Sequence, residues 1–127
     1  MASGVIQPKS IVKLWENSSP TSSFAGQEVA LPANSCDAFM VVYRFANNRD
    51  SIVGTVVFEV GEQSLFSIAA TTNMAVGNFS GALLRATSAS TQTSITFADA
   101  HVAEAGSSNT TNNIFLIPLR IYGIYSS

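Results

Sequence analysis

DAFMVVYRFANNRDSIVGTVVFEV, residues 37–60, holds two runs dense in β-branched and aromatic residues, with the polar tetrad Asn47-Asn48-Arg49-Asp50 between them. Val41, Val42 and Tyr43 stand together, so 37–46 suits a central strand hidden from water on both faces. The tetrad reads as a turn, and SIVGTVVFEV, 51–60, as the next strand. Sustained apolar spacing of three and four is absent, so no helix is expected.

Outward from that pair the pattern repeats. Gly61-Glu62-Gln63 reads as a short hairpin turn into SLFSIAAT, 64–71. FSGALLRATS and SITFADAHVA, 94–103, follow the loop 72–78, and the alternation of the second slips near Asp99, which predicts a β-bulge there. Two apolar runs, 114–117 and 119–125, close the chain. Pro118 between them cannot donate to a ladder, so it is expected at an edge, a bend or a bulge. Upstream, IVKLW, 11–15, and the stretch 24–31 flank the breaker ENSSPTSS. About eight strands, without an internal repeat or a linker, predict an all-β fold: an antiparallel β-sandwich, jelly-roll-like, over 11–127, preceded by an N-terminal arm over 1–10.

Charged residues make up 11 % of the 127, against about 25 % in an average protein. Eighteen Ser, ten Thr and nine Asn supply the polarity instead, so the solvated surface is largely hydroxyl and amide. Six basic residues and a net charge of -2 argue against nucleic acid as a partner, since that affinity rests on neutralising phosphates. The longest apolar runs, at 38–43 and 114–117, fall far short of the ~20 residues of a spanning helix, so no membrane insertion is expected. The opening MASGVIQPKS has no basic stretch followed by an apolar one, and export through a secretion pathway is not expected. The single Cys36 cannot form an intrachain disulfide and reads as a small buried filler.

Catalytic chemistry is hard to place. His101 is the only histidine, with Asp99 two residues earlier on the same face of an extended strand. Among 18 serines, one within reach of His101 is expected by chance, and no Gly-x-Ser-x-Gly turn is present. The eight carboxylates are scattered singly, no Asp-x-Asp loop suggests calcium, and no His/Cys set suggests zinc. No enzyme activity, cofactor or metal is expected.

Three stretches carry a resemblance. KLWENSSPTSSFAGQEVAL, 13–31, resembles the opening of small β domains found in tail and other structural proteins of bacteriophages, often at their C-terminal ends. DAFMVVYRFA resembles the strand that follows in them, and IPLRIYGIY their closing strand with its Ile-Tyr-Gly-Ile signature; Asn34-Ser35-Cys36 departs from their usual turn, and 47–113 matches nothing recognisable. The resemblance implies a virion component with a β-sandwich head, commonly trimeric in fibres and spikes, in a tail-fibre, spike or head-decoration role serving host attachment. Its partners would be further copies of itself, other virion proteins and a host surface glycan.

Ile114, Phe115, Leu116 and Ile117 stand side by side, so both faces of that segment must be hidden. Either a neighbouring chain covers the second face, which makes Ile114, Phe115, Leu116, Ile121, Tyr122 and Tyr125 an oligomer interface, or the segment is a central strand of the monomer's own sandwich. Asn47, Asn48, Arg49, Asn73, Asn109 and Asn112 are candidates for display on loops, where amides would meet sugar hydroxyls, though ordinary turn chemistry uses the same residues. Trp15 and Tyr122 are candidates to stack on a sugar or a partner. A monomeric carbohydrate-binding module is the competing reading, and it would carry a concave face lined by exposed aromatics.

Overall fold

The computed structural model describes residues 10–46, 49–70, 81–104 and 110–126, and over 49–52, 64–70, 81–82 and 103–104 the backbone path alone. Ten strands follow in order: β1 (Ser10–Glu16), β2 (Gln27–Ala30), β3 (Ala38–Ala46), β4 (Arg49–Glu59), β5 (Ser64–Ala70), β6 (Gly81–Thr91), β7 (Ser94–Phe97), β8 (His101–Glu104), β9 (Thr110–Thr111) and β10 (Phe115–Tyr125). They form two antiparallel sheets, one of four strands in the order β1-β10-β3-β4 and one of six. In the second, β5 lies along one side of β6. β7 and β8 follow each other along the other side, where the Ala98 N–H donates to the Ala86 carbonyl between them. β2 and β9 lie outside β7 and β8.

The protein is thus an all-β sandwich, as the strand pattern predicts. The run 94–103 is interrupted at 98–100, where the slip near Asp99 stands, and so divides into β7 and β8. That division and the two-residue β9 raise the expected eight strands to ten. β1, β2 and β3 alternate between the sheets, whereas β3–β4, β5–β6 and β6–β7 are neighbours within one sheet. Residues 1–9 of the expected arm lie outside the described residues, and Ser10 already belongs to β1.

The turn at 61–63 does not close a hairpin: β4 and β5 belong to different sheets, and the chain crosses between them there. Gly61 takes a positive φ of 94°, a conformation open to glycine at no steric cost. Its N–H donates to Ser90 Oγ at 3.0 Å, and that hydroxyl donates to the Glu62 carbonyl at 2.7 Å, so a buried side chain of β6 fixes the crossing. Pro118 lies inside a continuous β10, at the centre of its sheet, and the register with β3 slips between Pro118 and Arg120. A bulge is how a central strand tolerates a residue without an N–H.

Phe39, Val41, Tyr43 and Phe45 of β3 share one core cluster with Phe58 of β4, Ile117 and Ile121 of β10, Val29 and Leu31, and Leu83, Ile95, Phe97 and Val102 of the facing sheet. Gly123 sits opposite Phe39 on that inner face. A Cβ there would come within 3.0 Å of Leu14 Cδ1 and of the Cβ of Cys36. The Ile-Tyr-Gly-Ile ending therefore has a packing reason, and Cys36 is the buried filler beneath it. Burial pushes its thiol pKa up, which disfavours the reactive thiolate.

The apolar run 114–117 owes its density to one residue. Leu116 has φ 49°, and this left-handed backbone breaks the up-and-down alternation of an extended strand. Phe115, Leu116 and Ile117 all join the same core cluster, and the Phe115 ring meets Phe45 edge-on at 5.9 Å. A leucine in that region is strained by about 1–3 kcal/mol, so its surroundings must hold it there.

Candidate functional site

What holds Leu116 is Arg85, the most deeply buried charged side chain described, 1 % exposed on β6. Its Nε donates to the Leu116 carbonyl at 2.8 Å, Nη2 to Phe115 at 3.1 Å and Nη1 to Ala98 at 2.8 Å. The guanidinium also stands 5.3 Å from the centre of the Phe24 ring. Burial lowers its pKa to about 10, partly offset by the charge of Asp99, so it stays protonated at neutral pH. Asp99 in turn accepts from the Gly26 N–H at 2.7 Å and from Asn113 Nδ2 at 3.1 Å. Asn113 Oδ1 accepts from the Ala100 N–H, and the Asn113 carbonyl from the Phe24 N–H. At Gly26 a Cβ would lie 2.9 Å from the Asp99 nitrogen and 3.0 Å from the Phe97 oxygen, so only glycine allows β2 to approach this closely.

The Gly26 N–H, and next the Asn113 amide, lower the Asp99 pKa. A carboxylate with a folded pKa below its unfolded value of about 3.9 contributes stability that is full above that value and is lost as pH falls through the folded one. Asp37 behaves likewise through the Ser126 hydroxyl and N–H. Asp99→Asn is therefore expected to flatten the acid limb of a melting-temperature profile without abolishing it. An unchanged acid limb would count against the network.

The predicted interface residues divide between the two faces of β10. Phe115, Leu116 and Ile121 are buried in the monomer's core, with Ile114 and Tyr125 packed against its margin. The burial of Phe115, Leu116 and Ile121 agrees with the central-strand alternative, whereas Ile114 and Tyr125 stay half-buried. Tyr122 alone points to the outer face, half-buried. Of the display candidates, Asn47, Asn48, Asn73 and Asn109 lie outside the described residues. Arg49 pairs with Ala46 at the start of β4, and its side chain is likewise outside them. Asn112 is half-buried: its backbone N–H donates to the Ala100 carbonyl, and its Oδ1 accepts from the Ile114 N–H in a local turn. His101 sits in β8 between Leu84 and Thr111. No three of His, Cys, Asp and Glu are placed to hold a metal ion among the described residues.

Two surface features remain. The first is the outer face of the four-stranded sheet, where cross-strand register sets side chains in rows: Ile11-Ile124-Ala38-Glu59, Lys13-Tyr122-Met40-Val57, and Arg120-Val42-Thr55 with Glu16 beside Arg120. Val53 adds to the β4 end, opposite Arg44. Val53, Val57 and Ile11 are 57, 52 and 51 % exposed. The exposure lies on the two edge strands: Ala38, Val42 and Arg44 of β3 and Ile124 of β10, between them on the same face, are buried.

The second is a half-open cleft of about 310 Å³ where the chain leaves β1 and returns into β2, between Trp15, Glu16, Ser18 and Ser19 on one limb and Ser23 and Gln27 on the other. Its walls are fixed by hydrogen bonds to the rest of the fold. The Asn17 N–H and Nδ2 donate to the carbonyls of Leu119 and Pro118, and its Oδ1 accepts from the Ser19 N–H. Arg44 Nη1 donates to the Pro20 carbonyl. Phe24 closes the back, edge-on to Trp15 at 6.3 Å and to Phe97 at 5.6 Å. Neither Arg85 nor Ser23 and Gln27 stands out in the sequence reading, although Arg85 is the one charge in the apolar run GALLRA.

The fold and these features define a small antiparallel β-sandwich with exposed apolar side chains on the edge strands of its four-stranded sheet. Comparison with protein-family models, with curated proteins and with solved structures gives no match.

Proposed function

We propose that the protein is a structural subunit of a bacteriophage particle, in a tail-fibre, spike or head-decoration role, that assembles with copies of itself and presents its loop end to a host surface. The observation that supports this most is the set of exposed apolar residues on the edge strands of the four-stranded sheet. A chain with 11 % charged residues leaves Ile11, Val53 and Val57 more than half exposed on one side of one sheet, beside Met40 and Tyr122. Exposed apolar side chains on an edge strand, as Val53 and Val57 are on β4, suit an interaction site.

A second copy suits it because the margin carries both signs, Lys13 and Arg120 with Glu16 and Glu59, as a self-complementary contact requires. Four strands span about 19 Å, so the flat face offers roughly 400 Å², half of what one partner gives to a standard interface. A stable contact must therefore also take in β1. That strand pairs only with β10 among the described residues, and Ile11 and Val12 are exposed on its two faces. The bacteriophage setting rests on the resemblance of 13–31, 37–46 and 117–125.

Light scattering over a hundredfold dilution tests the assembly. The expected result is a closed oligomer, a trimer on the resemblance, that persists on dilution. Val57→Lys, at an exposed position where stability should move by less than about 0.5 kcal/mol, should yield a folded monomer. A wild-type monomer at every concentration would overturn self-assembly.

A further inference from the structure

We propose that the cleft between β1 and β2 binds a neutral saccharide, one or two sugar rings in size. One chain supplies the whole lining, although Glu16 also stands at the margin of the proposed subunit contact. The volume of about 310 Å³ stands at the lower end of ligand pockets, which run from about 300 to 1,000 Å³. The lining decides the chemistry.

No basic side chain lines the cleft, so it offers nothing to a phosphate or a carboxylate. Apart from Trp15 and Phe24 its walls are polar, so it does not suit a hydrocarbon ligand. Hydroxyls, an amide and one carboxylate supply acceptors and donors for the hydroxyls of a pyranose, and the edge of the Trp15 indole adds a small apolar patch beside them. Glu16 Oε1 is held at 2.7 Å by Lys13 Nζ, which orients the carboxylate and leaves its other oxygen to accept. The hydroxyls of Ser18, Ser19 and Ser23 and the Oε1 of Gln27 have no partner among the described residues; Gln27 Nε2 donates to the Ala25 carbonyl, which points the amide.

The site is also built in advance. Asn17, Pro20, Phe24 and Gly26 are each tied by hydrogen bonds to β10, β3 and the Asp99–Asn113 network. Little order remains to be imposed when a ligand arrives, and preorganisation of this kind preserves affinity.

The chain has one tryptophan, so its emission reports on the surroundings of Trp15, the wall of this cleft among them. The full chain is titrated with glucose, galactose, mannose, rhamnose, N-acetylglucosamine and their disaccharides, with glycerol as the reference for non-specific effects. The expected result is a saturable change with at least one sugar in the millimolar range. The Ser23→Ala/Gln27→Ala double variant, altered only at exposed positions, should weaken it by roughly tenfold, the loss of about two hydrogen bonds. Backbone amide shifts of residues 15–27 in the same titration give a second reading.

Emission indistinguishable from that with glycerol, together with unmoved amides, for every sugar would overturn the proposal. Saturable binding that the double variant leaves unchanged would overturn the placement in this cleft. Either failure leaves the oligomer mass untouched, so the saccharide site and the assembly are judged separately.

Discussion

Arg85→Met is expected to cost the protein a large part of its stability, of the order of 3–5 kcal/mol out of the roughly 5–15 kcal/mol typical of a folded domain. Methionine fills much of the same volume but donates nothing. The carbonyls of Phe115, Leu116 and Ala98 would then lose the donor that reaches all three. Each buried acceptor left unsatisfied costs about 1–3 kcal/mol. Relief from burying the guanidinium works the other way, since burial is what lowers its pKa to about 10. Three charge-assisted bonds at about 1.5–3 kcal/mol each exceed that relief, so the net sign is destabilising. The left-handed backbone at Leu116 loses its restraint in the same step. Urea denaturation monitored by circular dichroism gives the number, and Arg85→Lys should fall between the two, because one ammonium cannot reach three carbonyls on two segments. A methionine variant as stable as wild type would mean that water satisfies those carbonyls and that Arg85 is not the tie between the sheets.

That tie explains where the sequence could be read and where it could not. Strand content was legible because β3 carries the composition of a strand buried on both sides, and it is one: Phe39, Val41, Tyr43 and Phe45 point into the core, and Ala38, Val42 and Arg44 on the other face are buried too. The slip near Asp99 gave the place of the interruption at 98–100 but not its form: it reads as a bulge in one strand, and the chain breaks there into two. The run 114–117 was ambiguous for a physical reason. Four adjacent apolar residues imply two covered faces only if the backbone is extended, and at Leu116 it is not. Leucine seldom takes a positive φ, so nothing local announces the turn, and its cause lies thirty residues away in Arg85. The crossing at 61–63 was misread because Gly61-Glu62-Gln63 suits a hairpin as well as a passage between sheets; Ser90, which decides it, belongs to another strand. The cleft was half legible. Trp15 was visible as a stacking candidate, but Ser23 and Gln27 become its neighbours only because Phe24 and Gly26 are tied to Asn113 and Asp99.

Ile121 and Tyr122 are adjacent on β10 and face opposite sides of its sheet, so the same substitution should do two different things. Ile121 is fully buried opposite Val41, in the cluster that joins both sheets. Ile121→Asp removes its apolar burial, worth about 2–5 kcal/mol with the cavity it leaves, and puts a carboxyl where no donor is available. An unpaired buried polar group adds a few kcal/mol more, and more again if it ionises. The sum rivals the whole stability of a domain, so the expected outcome is loss of the cooperative transition and of near-ultraviolet circular dichroism. Tyr122→Asp lies between Lys13 and Met40 on the outer face, where water or Lys13 can meet the charge. It should keep the fold and lose the oligomer. Ile121→Val sets the scale: a conservative loss of one methylene should cost about 0.5–1.5 kcal/mol with assembly retained. A folded Ile121→Asp that fails only to assemble would return Ile121 to a subunit contact and displace it from the core. Unfolding by both aspartates would mean that the outer face is needed to fold the monomer and is not free for a partner.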